Sequence, residues 1–191
     1  MKSIITTGNG DFGETYTLGG ERLSKGHLII ECTGLLDRMR AQIALLRLHL
    51  IETKPEAVED AAFLFWLLHC CFVIGSRVSD ARNLHPEWSL GDIAERHLAR
   101  LEAEQERMEA TLNMPKAFVV SATSRLAATA DCTAVTARDF ERALVRLAEA
   151  IPELRDTRLF PFVNRLGDFF FILARYLEDG HHQTVDYSRL G

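Results

Sequence analysis

Three groups of residues in this chain have types and spacings that point to chemistry. The first lies in Phe160 to Arg175, a segment that is apolar nearly all round except at Asn164, Arg165, Asp168 and Arg175. Asn164, Asp168 and Arg175 recur at spacings of four and seven, which puts them on one face of a helix with Arg165 beside them. A helix this apolar is buried in a bundle, and polar groups on it need partners or a ligand. Two readings follow: a hydrogen-bond network internal to the fold, or one wall of a binding site. The second group is the run Gly8-Asn9-Gly10-Asp11-Phe12-Gly13-Glu14-Thr15, whose glycines let backbone N–H groups approach phosphates. It is not a P-loop, because Glu14 stands where that motif needs lysine. The third is Arg138, Glu141 and Arg142, a charge cluster at helical spacing.

Metal chemistry finds less support. Cys32, Cys70, Cys71 and Cys132 form no Cys-x-x-Cys pair and read as reduced, packed thiols. The one Glu-x-x-His, Glu178 to His181, is interrupted by Gly180, whereas a di-iron bundle needs two such motifs inside helices. No metal site is predicted.

The elements that must position these groups are helices. The chain has 191 residues, 47% of them hydrophobic, enough for one domain with a large core. Residues 1–27 read as a glycine-rich loop, with Ile4 and Ile5 as the start of a short extended piece. Helix one runs from about Leu28 to Leu50 on the stripe Cys32, Leu35, Leu36, Met39, Ile43, Leu46 and Leu50. Helix two runs from about Glu56 to Ser76. Helix three starts at Ser89, whose spacing to Asp92 is that of a capping box. Helix four runs from about Ser121 to Ala150, with small residues on the inner face of its first half. The last helix carries Phe160 to Arg175 and stops before Gly180. The fold expected is therefore all-α, a single domain over 1–191: a five-helix up-down bundle at 28–180, after the loop and before a mobile tail at 181–191. A net charge of −5 without a basic tail argues against nucleic acid as a partner. The start lacks the apolar core of a signal peptide, and the apolar run Ala61 to Gly75 is too short to span a bilayer comfortably. These features predict a cytoplasmic protein with no membrane partner.

In this order the pieces resemble a known family. Gly10-Asp11-Phe12-Gly13 leads to Arg22-Leu23-Ser24-Lys25, then to Glu31-Cys32-Thr33-Gly34-Leu35-Leu36-Asp37. Phe118 precedes a helix with Arg138-Asp139-Phe140-Glu141-Arg142, and the chain closes with Val163-Asn164-Arg165-Leu166-Gly167-Asp168. This resembles the PduO-type ATP:cob(I)alamin adenosyltransferases from about Thr7 to Arg175. The resemblance implies a ferritin-like, cobalamin adenosyltransferase-like bundle that assembles as a homotrimer with sites between subunits. It implies ATP, Mg2+ and a corrinoid at the site, with the 5′-deoxyadenosyl group passing to cobalt and triphosphate leaving. By position, Gly10, Asp11, Gly13, Thr15 and Lys25 would cradle phosphates, and Glu141 and Asn164 would hold the nucleotide. Arg138 would contact the triphosphate and Phe118 the lower face of the corrinoid; these two are the residues assigned to catalysis. Arg165 and Asp168 would brace their neighbours. The chain departs from the family at Ala134 and Asp139, where the motif has arginines, and at Asn9 and Glu14, where it has threonines. It departs again at Arg38-Met39-Arg40 after Asp37, and at Ser121-Ala122-Thr123, where the family has Pro-Gly-Gly. The missing arginine at 134 leaves Asp37 without its family partner. The alternative reading is a relative that binds nucleotide or corrinoid without turnover.

Overall fold

A computed structural model describes residues 8–155 and 158–191. The extended piece expected at Ile4 and Ile5 lies outside the described residues. Five helices form the body: α1 (Leu28–Thr53), α2 (Val58–Ser79), α3 (Glu95–Glu109), α4 (Arg125–Ala150) and α5 (Leu159–Tyr176). Helix α4 packs against both α1 and α5, α2 against α1 and α3 against α5; side chains of α2 also reach α5 at Phe63–Phe169 and α3 at Asp60–Arg107, which closes the bundle. The expected all-α bundle is what forms, and the stripe read for α1 is buried at Cys32, Leu36, Met39, Ile43, Leu46 and Leu50. The first half of α4 presents Ala127, Ala130, Ala134 and Ala137 to the core, which lets its neighbours approach closely. Phe140, Phe162, Phe169 and Phe170 are fully buried, with the Phe169 ring 5.2 Å from both Phe63 and Phe170. Aromatic pairs at this spacing add to what burial alone contributes.

Four expectations need correction. Helix α3 begins at Glu95, so Ser89 and Asp92 form no capping box. Gly91 has φ +102°, a left-handed turn that no helix continues through, and Ser89 Oγ is occupied with Gly91. The helix start is satisfied instead by His97, whose Nδ1 accepts from Ala94 N–H at 2.9 Å. The glycine-rich segment is not all loop: β1 (Glu14–Tyr16) and β2 (Arg22–Ser24) pair antiparallel, with Thr15 opposite Leu23. This hairpin sits on the end of α2, where Leu18 N–H donates to Ser79 Oγ at 2.8 Å and Arg82 donates to Glu21 at 2.7 Å. Gly19 permits the approach, since a Cβ there would lie 2.9 Å from Asp80 Oδ1. The tail at 181–191 is tied down in its first half, where Val119 and Thr184 form an antiparallel bridge, while Tyr187–Leu190 make an exposed 3-10 turn. Finally, α2 continues past Gly75 to Ser79 and reaches a mean hydropathy of 1.8, long and apolar enough by length and composition to cross a membrane. Half of that window is buried inside the bundle.

Candidate functional site

The glycine loop is built from two successive turns. Asp11 N–H donates to Gly8 O at 3.2 Å and Gly13 N–H to Gly10 O at 3.3 Å, so two of the amides expected to meet phosphate are engaged within the loop. Its fixed cation is Lys25, whose Nζ donates to Gly10 O at 2.8 Å. Gly10 leaves room for that contact: a Cβ there would lie 2.8 Å from the ammonium, and the lysine end would have to shift. Gly13 has φ +80° and open space around it, and its carbonyl accepts from Lys25 N–H at 2.8 Å. Thr15 sits mid-strand on β1. Glu14, a carboxylate beside an expected phosphate site, forms an ion pair with Arg22 across the hairpin. Its charge is thereby offset where it stands.

The second half of the site lies on α4 and α5. Asn164 Nδ2 donates to Glu141 Oε1 at 3.0 Å, and Asn164 Oδ1 accepts from Arg165 at 3.2 Å. Arg165 is held in turn by Glu102 of α3, 3.1 Å away. Arg138 crosses α5 over Gly167, where a Cβ would meet its Cγ at 3.1 Å. Its guanidinium lies 3.9 Å from Asp168, which is the same distance from Arg165. The polar stripe therefore divides between two environments. Asn164, Arg165 and Asp168 form a solvent-facing cluster with Arg138 and Glu141. Arg175 turns inward and is buried, donating to Asp131 Oδ2 at 2.7 Å.

Phe118 is 78% exposed, yet its backbone is held. Phe118 O accepts from Val185 N–H at 2.9 Å, and Val120 N–H donates to Gln183 O at 2.7 Å. The arc from 118 to 124 ends at Ser124, which caps α4 by accepting from Ala127 N–H at 3.1 Å. Ala122 has φ +58°, a left-handed conformation that favours glycine. Cavities flank the arc on two sides. One of about 430 Å3 is lined by Arg38, Gln42, Ala122, Asp131, Thr136 and Asp139. The other, about 620 Å3, is lined by His49, Lys54, Thr123, Arg125, Glu178 and His181.

The departures from the motif pattern also have structural settings. Ala134 is buried in the core, Asp139 pairs with Arg142, and Asp37 pairs with Arg40 at 2.8 Å within the chain. Sequence reasoning missed the pairing of Arg175 with Asp131 and Glu178, and of Glu178 with His182; the four-residue step from Glu178 to His182 was the one visible signal. Among the described residues no group of three metal-binding side chains occurs. Burial pushes the Cys32 and Cys71 thiols up to about 12 and Cys70 up to about 11, with Glu31 adding to the shift at Cys32. Only Cys132 is exposed. Thiolate is the reactive form, so native protein treated with iodoacetamide at pH 8 is expected to take up one adduct, on Cys132. Mass spectrometry showing two or more adducts before unfolding would contradict this packing.

The family model described as cobalamin adenosyltransferase matches residues 5–177. A protein of Cupriavidus metallidurans named cobalamin adenosyltransferase is 33% identical over 178 residues, covering 92% of this chain and 88% of that one. The corrinoid adenosyltransferase PduO of Salmonella typhimurium is 29% identical over 184 residues, 94% of this chain; the chain spans about half of that relative's length, 51%. Among solved structures, a phenylalanine-to-histidine variant of a PduO-type ATP:corrinoid adenosyltransferase from Lactobacillus reuteri, complexed with cobalamin and ATP, superposes with a TM-score of 0.82. It is 22% identical, and the match covers 96% of this chain and 97% of that one. An arginine-to-lysine variant complexed with ATP gives a TM-score of 0.78 at 21% identity, covering 94% and 99%.

Proposed function

The chain belongs to the cobalamin adenosyltransferase family, and from that premise we propose that it is an ATP:corrinoid adenosyltransferase. The reaction joins cobalt(I) of the corrinoid to the 5′ carbon of ATP, breaks the carbon–oxygen bond there and releases triphosphate. Negative charge grows on the leaving triphosphate, so a cation fixed in advance lowers the barrier. Arg138 is that cation. Gly167 gives it room to lie across α5, and Asp168 is too distant, at 3.9 Å, to hold it back from a phosphate. Asn164 and Glu141, bonded to each other, present an amide and a carboxylate to the nucleotide. Lys25, Gly10, Asp11 and Gly13 supply the triphosphate's other wall, with Thr15 at the start of the hairpin. Phe118 supplies an apolar surface to the corrinoid's lower face, displacing its axial base and leaving a cobalt that is easier to reduce. A magnesium ion bound to the triphosphate would share its negative charge with Arg138 and Lys25.

The observation that carries this reading is the preformed Arg138–Glu141–Asn164 cluster on α4 and α5. The glycine loop belongs to a hairpin on the end of α2, so a complete site is best supplied by two copies of the chain. Exposed apolar residues on α1 and α2, such as Leu45, Leu48, Phe65 and Phe72, support assembly, and we propose the homotrimer. The test is anaerobic: ATP and reduced cobalamin are mixed with the protein, and cobalt–carbon bond formation is followed by absorbance. Lys25→Ala is expected to weaken ATP binding roughly 10–100-fold, the value of a charge-assisted hydrogen bond. Calorimetry giving no heat with ATP for the unaltered protein would end this reading.

A further inference from the structure

A buried charged group joins the C-terminal segment to the arc that carries Phe118. Glu178, at the end of α5, has a side chain with no exposed surface. Its Oε1 accepts from Thr123 N–H at 3.2 Å, which pins the far end of the arc. Its Oε2 lies 2.8 Å from His182 Nδ1, and the acceptor-only carboxylate makes Nδ1 the donor. The His182 side chain is 4% exposed, and its Nε2 is buried without a partner. Arg175 Nε stands 3.2 Å from the same carboxylate oxygen without hydrogen-bond geometry, an attraction of charge alone. Beyond His182 the chain runs directly into the strand that bonds Val120 N–H at Gln183 O and Phe118 O at Val185 N–H. One carboxylate thus ties the arc at Thr123 to the C-terminal strap at His182, beside the backbone pairing that holds the exposed Phe118.

We infer that His182 is a positioning residue for Phe118. By bonding Glu178 it fixes residues 183–185, and these fix the backbone that carries Phe118, on an arc whose far end at 121–124 lines both cavities. The inference rests on the adenosyltransferase reading for what Phe118 does, and on the bonds above for how it is held. An exposed aromatic ring needs such support, because it has no packing of its own to set its direction, and misplacing a reacting group by about 1 Å can cost roughly 100-fold in rate. His182 touches neither the glycine loop nor the Arg138 cluster. Its loss therefore acts on the corrinoid side of the reaction and spares ATP.

The test uses the full chain. His182→Ala is expected to lower kcat roughly 10–100-fold, with the Kd for ATP within about twofold of the unaltered protein. The fraction of cobalt(II) corrinoid driven to the four-coordinate state by ATP, read by electron paramagnetic resonance, falls in parallel. His182→Asn places an amide nitrogen where Nδ1 stands and restores both. Val185→Pro removes the N–H that bonds Phe118 O at a half-buried position, so it supplies a second route to the same loss if His182→Ala folds poorly. Hydrogen exchange at the Val120 and Val185 amides accelerates in His182→Ala, which reads the strap without turnover. In the Phe118→Ala background, His182→Ala changes the rate no further. If the two substitutions multiply instead, or if the amides accelerate while kcat and the cobalt signal hold, the positioning role is wrong. An unaltered protein that forms no cobalt–carbon bond overturns the adenosyltransferase reading itself, a result separable from the strap because amide exchange needs neither substrate.

Discussion

Arg138→Ala is expected to lower adenosyl transfer by roughly 100–1000-fold while the melting temperature stays close to that of the unaltered protein. The rate effect follows from where the charge develops. A guanidinium fixed beside the leaving triphosphate stabilises the transition state more than bound ATP, and deleting one such donor costs about 2.7–4 kcal/mol. The small stability effect follows from the surroundings. Arg138 is half exposed and its contact with Asp168, at 3.9 Å, is too long and too solvated to contribute much. A fall in kcat with little change in KM for ATP is the expected division. Arg138→Lys is expected to recover only part of the rate, because an ammonium is a point charge without the guanidinium's planar fork. Equal rates for Arg138→Ala and the unaltered protein in the anaerobic assay would remove Arg138 from the mechanism.

The largest stability effect is expected at Arg175. Arg175→Ala leaves Asp131 and Glu178 without the cation that both face inside the bundle. Breaking a buried pair from one side costs about 3–5 kcal/mol, which for a chain of this size lowers the melting temperature by about 6–20 °C. The loss also depends on pH. Burial pushes the Asp131 carboxyl above the usual carboxylate range, and the bond from Arg175 opposes that shift. A carboxyl with a raised folded value binds its proton more readily in the folded state. Its contribution is therefore most favourable below the unfolded value and declines as pH rises through the folded one. Without Arg175 the shift grows, so the gap in melting temperature between variant and unaltered protein narrows as pH falls from 7 toward 4. Calorimetry across that range checks both size and direction. Arg175→Met combined with Asp131→Leu is expected to regain part of the stability, since apolar groups of similar volume replace buried ions with little loss. A destabilisation under 1 kcal/mol for Arg175→Ala would mean the network is solvated.

How much of this was legible in the sequence depended on whether a residue's partners lay at helical spacing. The bundle helices were readable because Cys32 to Leu50 repeat on a single helix face and Phe162 to Leu173 are apolar nearly all round, both local signals. The hairpin at Glu14–Ser24 was not, because its strands are three residues each and lie among glycines, where period-two alternation has no length in which to register. The start of α3 was misplaced because Ser89 and Asp92 satisfy a spacing rule while Gly91, between them, takes a backbone conformation that the rule does not weigh. Asn164, Asp168 and Arg175 share a face in projection, but the helix end turns Arg175 into the core, and only tertiary packing distinguishes the two environments. The pairing of 118–120 with 183–185 joins two three-residue segments far apart in sequence, too short for a period to register, which is why the tail read as mobile. For the Arg138 cluster the motif identified the residues. It did not reveal that Gly167 makes room for the arginine or that Glu102 of a third helix restrains Arg165.

The bond between Thr123 N–H and Glu178 spans 55 residues of chain, and this sets an order of maturation during synthesis. At roughly 5–20 residues per second, the arc bearing Phe118 leaves the ribosome several seconds before the carboxylate that closes it, with all of α4 and α5 made in between. Over that interval the hairpin, α1 and α2 are already available to fold, while the aromatic arc has no partner. Nascent chains interrupted between residues 176 and 182 therefore hold every helix of the bundle and the whole glycine loop without the strap. On the function and assembly proposed above, such truncated products are expected to compete for nucleotide and for places in the proposed trimer while the corrinoid surface is not yet formed.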